Sequence, residues 1–337
     1  MERRHITIIM KGIATAWLSL MPFVVCAQRE VFTVVELNVE NLFDTDHDTL
    51  KDDHEFLPDG SYHWTRKRYW RKLNRLGQTI LSCGEQKAGD RQWTLPDMVA
   101  LCEVENDTVM RDLTKRSLLR NARYEYIVTQ SPDERGVDVA LLYSPFSFRP
   151  IRQEALRVPL VRDMRPTRDI LFVEGETVSG DTLHVFVVHA PSRSGGEKAS
   201  RPFRRQVADR LCHAVDSLHG LCGDARIIVV GDFNDYHSSP ALVQLEQHGL
   251  VNVSKNATGT HGAKATYRYQ GEWGSLDHIF LSPSLAEVAK ECYINDAAFL
   301  LEEDTKYGGV KPRRNYLGPR YLNGYSDHLP LVLRLFF

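Results

Sequence analysis

One stretch constrains the fold of this chain more than any other: an apolar run that leads directly into a polar turn. Residues 227–230 are all Ile or Val, which predicts a buried strand, and Gly231 follows where we expect that strand to end in a sharp turn. Asp232 and Asn234 come next, so both side chains can face one cleft. A turn that merely ends a strand has the same composition, because Gly, Asp and Asn favour turns. Other parts of the sequence must distinguish a turn from a site.

The N-terminal 27 residues predict a secretory signal peptide. Basic residues precede an apolar run at residues 13–25, and small residues offer a cleavage point after Ala27; a lipid-modified Cys26 is the alternative. The run is too short for a stable membrane span, and no later run is long enough for one. We therefore expect an exported protein, periplasmic or extracellular, without a transmembrane segment.

Composition restricts the choice of partners. Without residues 1–27 the chain keeps 39 basic and 43 acidic residues, a formal charge of −4, so it is not a general binder of polyanions. Five cysteines remain, without metal-ligand spacing; Cys212 and Cys222 could pair, and Cys102 is predicted to be a packed thiol. No linker or repeat follows, so we predict one domain over residues 28–337, a monomer with no stable protein partner.

The periodicity of apolar residues predicts a mixture of strands and helices. Strands are expected at residues 31–37, 95–101, 124–129, 137–143, 170–178, 182–188, 227–230, 266–269, 275–281 and 331–337. Helices are expected at residues 64–81, after the capping residue Asn106 to about residue 120, around residues 203–218, and from the cap Ser239 to near Gly249.

Two charged segments allow more than one interpretation. Asp44, Asp46 and Asp48 have the spacing of a calcium-binding loop, but the glycine and the distal glutamate are missing at the required offsets, so residues 44–63 are predicted to be a solvated loop. The helix at residues 64–81 carries six basic residues and no acidic one. It could contact a phosphate backbone, or it could present a solvated basic face.

Polar residues recur where the predicted strands end, and strand ends at one sheet edge form a common type of site. They are Asn38, Glu103, His189, Asp232, Asn234, Asp277, Asp327 and His328. Oxygen ligands without cysteine favour Mg²⁺ or Mn²⁺ over Zn²⁺. Phosphoester hydrolysis needs neutralised phosphoryl oxygens, an oriented water and a base, and a His–Asp pair supplies the base.

Seven short motifs occur in the order seen in the endonuclease/exonuclease/phosphatase superfamily, which the chain resembles over about residues 31–337. They are Asn38-x-Glu40-Asn41, Leu101-Cys102-Glu103, Arg135-Gly136-x-Asp138, His189-Ala190-Pro191-Ser192, Gly231-Asp232-Phe233-Asn234, Leu276-Asp277-His278 and Ser326-Asp327-His328. The resemblance implies a four-layer α/β sandwich: two mixed β-sheets packed face to face, helices outside, and an active-site cleft at their upper edge.

The resemblance also implies roles for individual residues. Glu103 is expected to be the principal ligand of Mg²⁺ (Mn²⁺ or Ca²⁺ are alternatives), with Asn38 and Asp327 completing or supporting the metal shell. Asp277 with His328 would activate the attacking water, Asp232 would orient that water or His328, and Asn234 would donate to the phosphoryl oxygen. His189 is typical of the deoxyribonuclease-like branch and is expected to pair with Asp138. Arg135, Ser192 and Arg193 are the expected substrate contacts.

These features predict a secreted, metal-dependent phosphodiesterase, a nuclease that hydrolyses DNA or RNA with an activated water. A lipid- or inositol-phosphate phosphoesterase on the same fold is the alternative. A non-catalytic binding module would require a missing catalytic residue, and none is missing. The loops after Phe43 and at residues 311–323 lack a counterpart in the best-known members, so the resemblance leaves the substrate, endo or exo action, and the number of metal ions open.

Overall fold

Two six-stranded mixed sheets form the centre of the computed structural model, which describes residues 31–85 and 93–337. The strands are, in chain order, β1 (Val31–Leu42), β2 (Met98–Val104), β3 (Glu125–Val128), β4 (Asp138–Tyr143), β5 (Phe148–Leu156), β6 (Ile170–Thr177), β7 (Thr182–His189), β8 (Ile227–Asp232), β9 (Val251–Asn252), β10 (Tyr267–Tyr269), β11 (Glu272–Gly274), β12 (Asp277–Leu281), β13 (Ala289–Ile294), β14 (Leu301–Glu303), β15 (Val310–Pro312), β16 (Tyr316–Leu317), β17 (Arg320–Tyr321) and β18 (Leu331–Phe336). The α-helices are α1 (Arg66–Ser82), α2 (Asp107–Arg111), α3 (Glu197–Leu221), α4 (Pro240–Gln247) and α5 (Pro283–Val288).

The two sheets share one plan. The first has the strand order β13-β18-β1-β2-β4-β3, and the second has the order β5-β6-β7-β8-β12-β9. Each has a single parallel pair at its centre, β1 with β2 and β7 with β8, and all other neighbours are antiparallel. The carboxyl ends of a parallel pair lie at the same sheet edge, so residues that follow these strands come together.

Alternating side chains produce three apolar layers. Along β1, Val34 packs between the sheets, whereas Val35 packs on the opposite face against α1. Along β8, Val230 faces the same central layer, and Val229 packs outward with residues of α3 and α4. Helix, sheet, sheet and helix therefore follow one another, which confirms the predicted four-layer sandwich.

Some predicted boundaries were wrong. β1 does not end at Leu37 but continues to Leu42 through an irregularity, so Asn38 lies inside the strand. Gly231 does not end β8, which includes Asp232. β5 was not predicted, because it contains Pro150 and has mostly exposed residues, as suits the edge of a sheet. By contrast, the predicted caps are confirmed: Asn106 accepts from Val109 N at 3.0 Å, and Ser239 caps α4.

Four of the six basic side chains of α1 bind other groups of the protein, whereas Arg66 and Lys67 are exposed, as in the predicted solvated basic face. Arg68 donates to the carbonyls of Tyr62 and His63, and Arg75 donates to Gly324 O. Lys72 is buried and donates to Tyr325 O at 2.5 Å, and burial lowers its pKa to about 8. Three of the six, Arg71, Lys72 and Arg75, therefore fix the segment before β18.

The five cysteines between residues 31 and 337 are free thiols, so the possible Cys212–Cys222 disulfide is not formed. Cys102 is buried between the sheets, as predicted for a packed thiol. Across the described ranges no helix is long and apolar enough to span a bilayer. The predicted signal peptide lies outside the described residues.

Candidate active site

A bulge turns Glu103 out of the regular alternation of β2. The register between β2 and β4 shifts from Cys102 to Val104, and Glu103 is the extra residue between them. Its φ of 66° is uncommon for a residue other than glycine. The parallel neighbour β1 is irregular at the same level, between Asn38 and Leu42. The two distortions bring the Glu103 carboxylate to 3.1 Å from Asn38 Nδ2.

On the second sheet, three predicted site residues lie side by side. Asp232 of β8 is paired in register with His189 of β7 on one side and with Asp277 of β12 on the other. The preceding Gly231 has a φ of 147°, and a Cβ there would lie 1.9 Å from the Val188 carbonyl oxygen. Glycine is required because β7 approaches too closely for any side chain, and not because the strand ends.

Asn38 connects the two sheets through its amide group. Its Nδ2 donates to Glu103 Oε1 at 3.1 Å and to Asp232 Oδ2 at 3.0 Å, while its Oδ1 accepts from Glu40 N at 2.9 Å. Glu103 Oε2 also accepts from Asn41 N at 2.8 Å. Because the amide oxygen of Asn38 is engaged by the backbone, this residue can support a metal shell by orienting two carboxylates.

The predicted His328–Asp277 pair is formed. His328 Nδ1 lies 2.8 and 3.0 Å from the two oxygens of Asp277, which is fully buried. Burial disfavours the charged imidazole, but the Asp277 carboxylate, followed by Asp232, holds the pKa of His328 well above its usual value. The structure therefore provides a strongly basic imidazole whose Nδ1 is directed at Asp277, leaving Nε2 for chemistry.

Buried acids accumulate beneath this pair. Asp232, Asp277 and His328 offer ligand atoms within 4.8 Å of one another. Burial, and then the charge of Asp277, raise the pKa of Asp232 to about 7. Glu36 lies on β1, two residues before Asn38, and is fully buried. Its burial, together with the charges of Asp277 and Asp232, raises its pKa well above the usual value. Three buried carboxyl groups, those of Glu36, Asp232 and Asp277, therefore lie close together beside the His328 imidazole.

His189 lies in the cleft, but it does not pair with Asp138. Its Nε2 is 3.8 Å from Asp232 Oδ2 and 3.9 Å from Glu103 Oε1. Asp138 instead accepts from the Thr129 hydroxyl at 2.5 Å and from Ser131 N at 2.9 Å, and burial raises its pKa. Burial, and then the nearby Arg168, hold the pKa of His189 well below its usual value, so the imidazole is neutral.

The expected substrate contacts line the same cleft, a cavity of about 540 Å³. Arg193 donates to Asn234 O at 3.0 Å, and its guanidinium lies 4.1 Å from the ring centroid of Tyr236. Arg135 donates to Asn41 Oδ1, and Ser192 is exposed beside it at the cleft wall. The Asn234 side chain donates to Ala190 O at 3.1 Å, and its backbone N–H to Asp232 Oδ1 at 2.7 Å.

Several residues of the site were not identified from the sequence. Arg168 is buried and donates to the carbonyls of His189 and Ala190, at 3.2 and 2.7 Å. Arg314 lies 3.0 Å from Asp327 Oδ2, and the Tyr267 ring packs 4.9 Å from that of His328. Glu36 alone had a usable signal, since it is an acid at an inward position of an apolar strand. The others depend on long-range packing.

The residues present suit a hard divalent cation. The side chains of Glu103 and Asp327 are 17% and 19% exposed, both line the cleft, and both supply oxygen ligands. Mg²⁺ is commonly held by one or two carboxylates together with waters and substrate phosphate. Asp232 lines the same cleft and adds a third carboxyl group.

A sandwich of two mixed sheets with helices outside, carrying this group of acids and a His–Asp pair at one edge, defines a class of phosphoesterases. The chain belongs to the endonuclease/exonuclease/phosphatase family, whose model matches residues 33–336. No curated protein matches the sequence.

Solved structures of the same fold cover most of the chain. A mannosyl-6-phosphatase from Bacteroides thetaiotaomicron is 16% identical, with a TM-score of 0.60 over 91% of this chain and 100% of the other. Truncated TDP2 from Caenorhabditis elegans is 14% identical, with a TM-score of 0.55 over 91% and 98%. The human Nocturnin catalytic domain is 18% identical, with a TM-score of 0.53 over 91% and 97%. At these identities the likeness establishes the fold alone.

Proposed function

We propose that the protein is an exported, divalent-metal-dependent phosphodiesterase that hydrolyses nucleic acid. The observation that carries the proposal is the convergence of Glu103, Asp232 and the His328–Asp277 pair in one cleft at the carboxyl ends of the parallel strands. Water attack on a phosphoester needs a base, charge stabilisation and a positioned phosphoryl group. Separate side chains in this cleft are available for each task.

The base is His328. Asp277 fixes its Nδ1 side, so Nε2 of the neutral imidazole can accept a proton from water. The raised pKa favours the imidazolium at neutral pH, so we expect the rate to rise with pH as the ring loses its proton. Asp232 lies in the same cluster and orients that water. Neutral His189 keeps one ring N–H and Asn234 has its amide N–H groups, so both can donate hydrogen bonds to the phosphoryl oxygens.

Glu103 and Asp327 would hold the metal, with Asn38 orienting the Glu103 carboxylate. The bound cation would neutralise charge on the phosphoryl group. Mg²⁺ is the proposed ion because the open ligands are carboxylates, and Mn²⁺ or Ca²⁺ would fit the same donors.

Aromatic rings at the mouth of the cleft favour nucleic acid over a lipid. Tyr236 and Tyr269 are 45% and 62% exposed and line the cleft, and Arg193 covers one face of Tyr236. Bases stack on such surfaces without regard to sequence. Among the described residues, the exposed large apolar side chains are scattered along the chain and form no hairpin suited to insertion into a bilayer.

A sugar phosphate is the second candidate. A recess of about 430 Å³ adjoins the cleft and shares Arg135, Arg168, Ser192 and Ser194 with it. Three arginines and three acids balance the charge of its lining, and Phe203 and Met164 add apolar surface. Such a wall suits a neutral hydroxylated ring. The mannosyl-6-phosphatase with the same fold is consistent with this candidate.

The test is a substrate panel with Mg²⁺ or Mn²⁺, with and without chelator: single- and double-stranded DNA, RNA, hexose 6-phosphates and sphingomyelin. We expect nucleic acid to be cleaved, the chelator to abolish cleavage, and His328→Ala to slow it by about 10²–10⁴-fold. The exposed His237→Ala is the matched control and should retain full activity. Intact nucleic acid with cleaved hexose phosphate would replace the first candidate by the second. Glu103→Gln should weaken binding of the cation in direct titration, because the amide keeps the shape but removes the charge.

We also propose that the N-terminal 27 residues act as a signal peptide and that the protein is exported, as the sequence predicts. Intact-mass measurement of the chain recovered from a bacterial host should show a new N-terminus at Gln28. A mass that corresponds to a diacylglyceryl-modified Cys26 would establish the lipid-anchored alternative.

A further inference from the structure

A second cluster of metal-ligating side chains lies away from the cleft, on the segment between β1 and α1. His47, Asp53 and His54 each offer a ligand atom, and these atoms lie within 4.8 Å of one another. None of the three lines the catalytic cleft. The sequence predicted only a solvated loop here, so the convergence of two imidazoles and a carboxylate needs a separate explanation.

The carboxylate of the cluster is held in place before any ion binds. Asp53 is 2% exposed, its Oδ2 accepts from Asp48 N at 2.8 Å, and its Oδ1 lies 2.5 Å from His47 Nδ1. A histidine that donates one ring N–H to a carboxylate has its other nitrogen fixed in direction, which is a common arrangement at metal sites. Asp53 can therefore bind an ion or orient His47 toward it.

The backbone around the cluster is fixed by aromatic packing. Phe56 stacks between Phe43 and Tyr62, with ring centroids 4.2 and 4.8 Å apart and interplanar angles of 5° and 4°. The rings of His47 and His54 lie 4.3 Å apart. The two histidines thus project together from an ordered loop, so an ion would require little ordering of the chain.

The surroundings favour a cation. Burial raises the pKa of the neighbouring Glu105 to about 8, and Asp44, Asp53 and Asp48 add to this effect in that order. Burial is also the main cause that raises the pKa of Asp44, to which the charges of Asp46 and Asp53 contribute. A divalent ion at the cluster would lower the repulsion within this group of acids.

We propose that His47, Asp53 and His54 form a site for a divalent transition metal, of which Zn²⁺ is the representative. Two imidazoles and one carboxylate favour ions such as Zn²⁺ over Mg²⁺ or Ca²⁺, which prefer oxygen ligands alone. Lys51 of the same loop donates to the carbonyls of Ser131 and Asp133 at 2.7 and 2.8 Å. The ion would consequently brace the turn that precedes Arg135 at the cleft wall, in a structural role that does not depend on the proposed chemistry.

The experiment measures Zn²⁺ bound per chain by equilibrium dialysis of the full chain without a histidine tag, after chelator treatment. We expect His54→Ala to lose one equivalent of Zn²⁺, or to bind that equivalent at least about tenfold more weakly. His237→Ala controls for loss of any exposed histidine, and Asp46→Asn controls for loss of acidic charge on the same loop. Both should keep the equivalent. Glu103→Gln should keep it too, which separates this site from the cleft.

Two further readouts decide the proposal. Co²⁺ in place of Zn²⁺ should give visible absorption bands of an imidazole-bound ion in wild type and in Glu103→Gln, and weaker bands in His54→Ala. Zn²⁺ should raise the midpoint of thermal unfolding in wild type more than in His54→Ala. Equal stoichiometry, affinity and thermal shift in His54→Ala and wild type would overturn the proposal. Because His54 is exposed, this variant should fold in the absence of metal.

Discussion

Replacement of Gly231 by alanine should destabilise the protein and disable the site through one backbone contact. The added Cβ would lie 1.9 Å from the Val188 carbonyl oxygen and 2.8 Å from its carbon. Contacts shorter than 3.0 Å are essentially never seen for a real Cβ, and both atoms are backbone, so no side chain can move aside. β7 and β8 must separate by about 1 Å to relieve the clash.

The magnitude follows from two costs. A φ of 147° is a region that residues with a side chain rarely adopt, and such strain costs about 1–3 kcal/mol. Forcing an additional methyl group into a packed interior costs about 1–3 kcal/mol more. We therefore expect the free energy of unfolding to fall by about 2–6 kcal/mol, a large part of the total for an ordinary domain. The shift would also displace Asp232 from His189, its partner in the register.

Gly180→Ala is the matched control, since its φ is +85° and no atom lies within 4 Å of an added Cβ. It carries the conformational cost without the clash, about 1–2 kcal/mol. The assay is urea unfolding followed by far-ultraviolet circular dichroism, together with phosphodiester hydrolysis under folding conditions. If Gly231→Ala loses no more stability than Gly180→Ala, the close approach of the two strands is not what requires glycine.

Two further predictions concern charge in and near the cleft. Asp277→Asn should reduce kcat by about 10²–10⁴-fold with little change in KM, because His328 loses the carboxylate that orients its ring. Unchanged kcat in steady-state kinetics would remove Asp277 from the mechanism. The pKa of Glu105 is raised from 4.5 to about 8, so the folded state favours the protonated acid, and stability is lost as the pH rises from about 4.5 through 8. In urea titrations, the free energy of unfolding of Glu105→Gln should match that of wild type near pH 4.5. Above pH 8 it should be larger than that of wild type, by at most about 5 kcal/mol. Equal stability of the two proteins at high pH would contradict the assigned cost of burying Glu105.

Much of the fold could be predicted because local patterns dominate it. The strands that form the centre of both sheets are rich in apolar residues, and the helix at residues 64–81 shows a clear period of three and four. Most of the site residues could be located because they lie near the end of a strand, although Asn38 lies inside β1. Pairing in register then places His189, Asp232 and Asp277 on adjacent strands, which a list of strand ends suggests but cannot establish.

The remaining features depend on contacts between distant segments. Glu103 reaches the cleft only through a bulge, and a bulge requires knowledge of the partner strand. The expected His189–Asp138 pair was inferred from the resemblance, but Thr129 and Ser131 lie closer to Asp138 and satisfy it. The sequence predicted that Gly231 ends its strand, whereas in the structure it is required because a carbonyl of β7 leaves no room for a side chain. That contact also joins distant segments.

The basic face of α1 shows how such contacts change a functional argument. A run of basic residues suggests a surface for polyanions, yet Arg68, Lys72 and Arg75 satisfy backbone carbonyls at residues 62, 63, 325 and 324. Buried charge is costly unless it is paired in this way, so these side chains are committed to the fold. The arginines that line the cleft are Arg135, Arg168 and Arg193. If the substrate is nucleic acid, as proposed, we expect these arginines to contact one phosphate and its nearest neighbours. Its affinity should then depend less on salt than that of a protein that binds a long stretch of duplex.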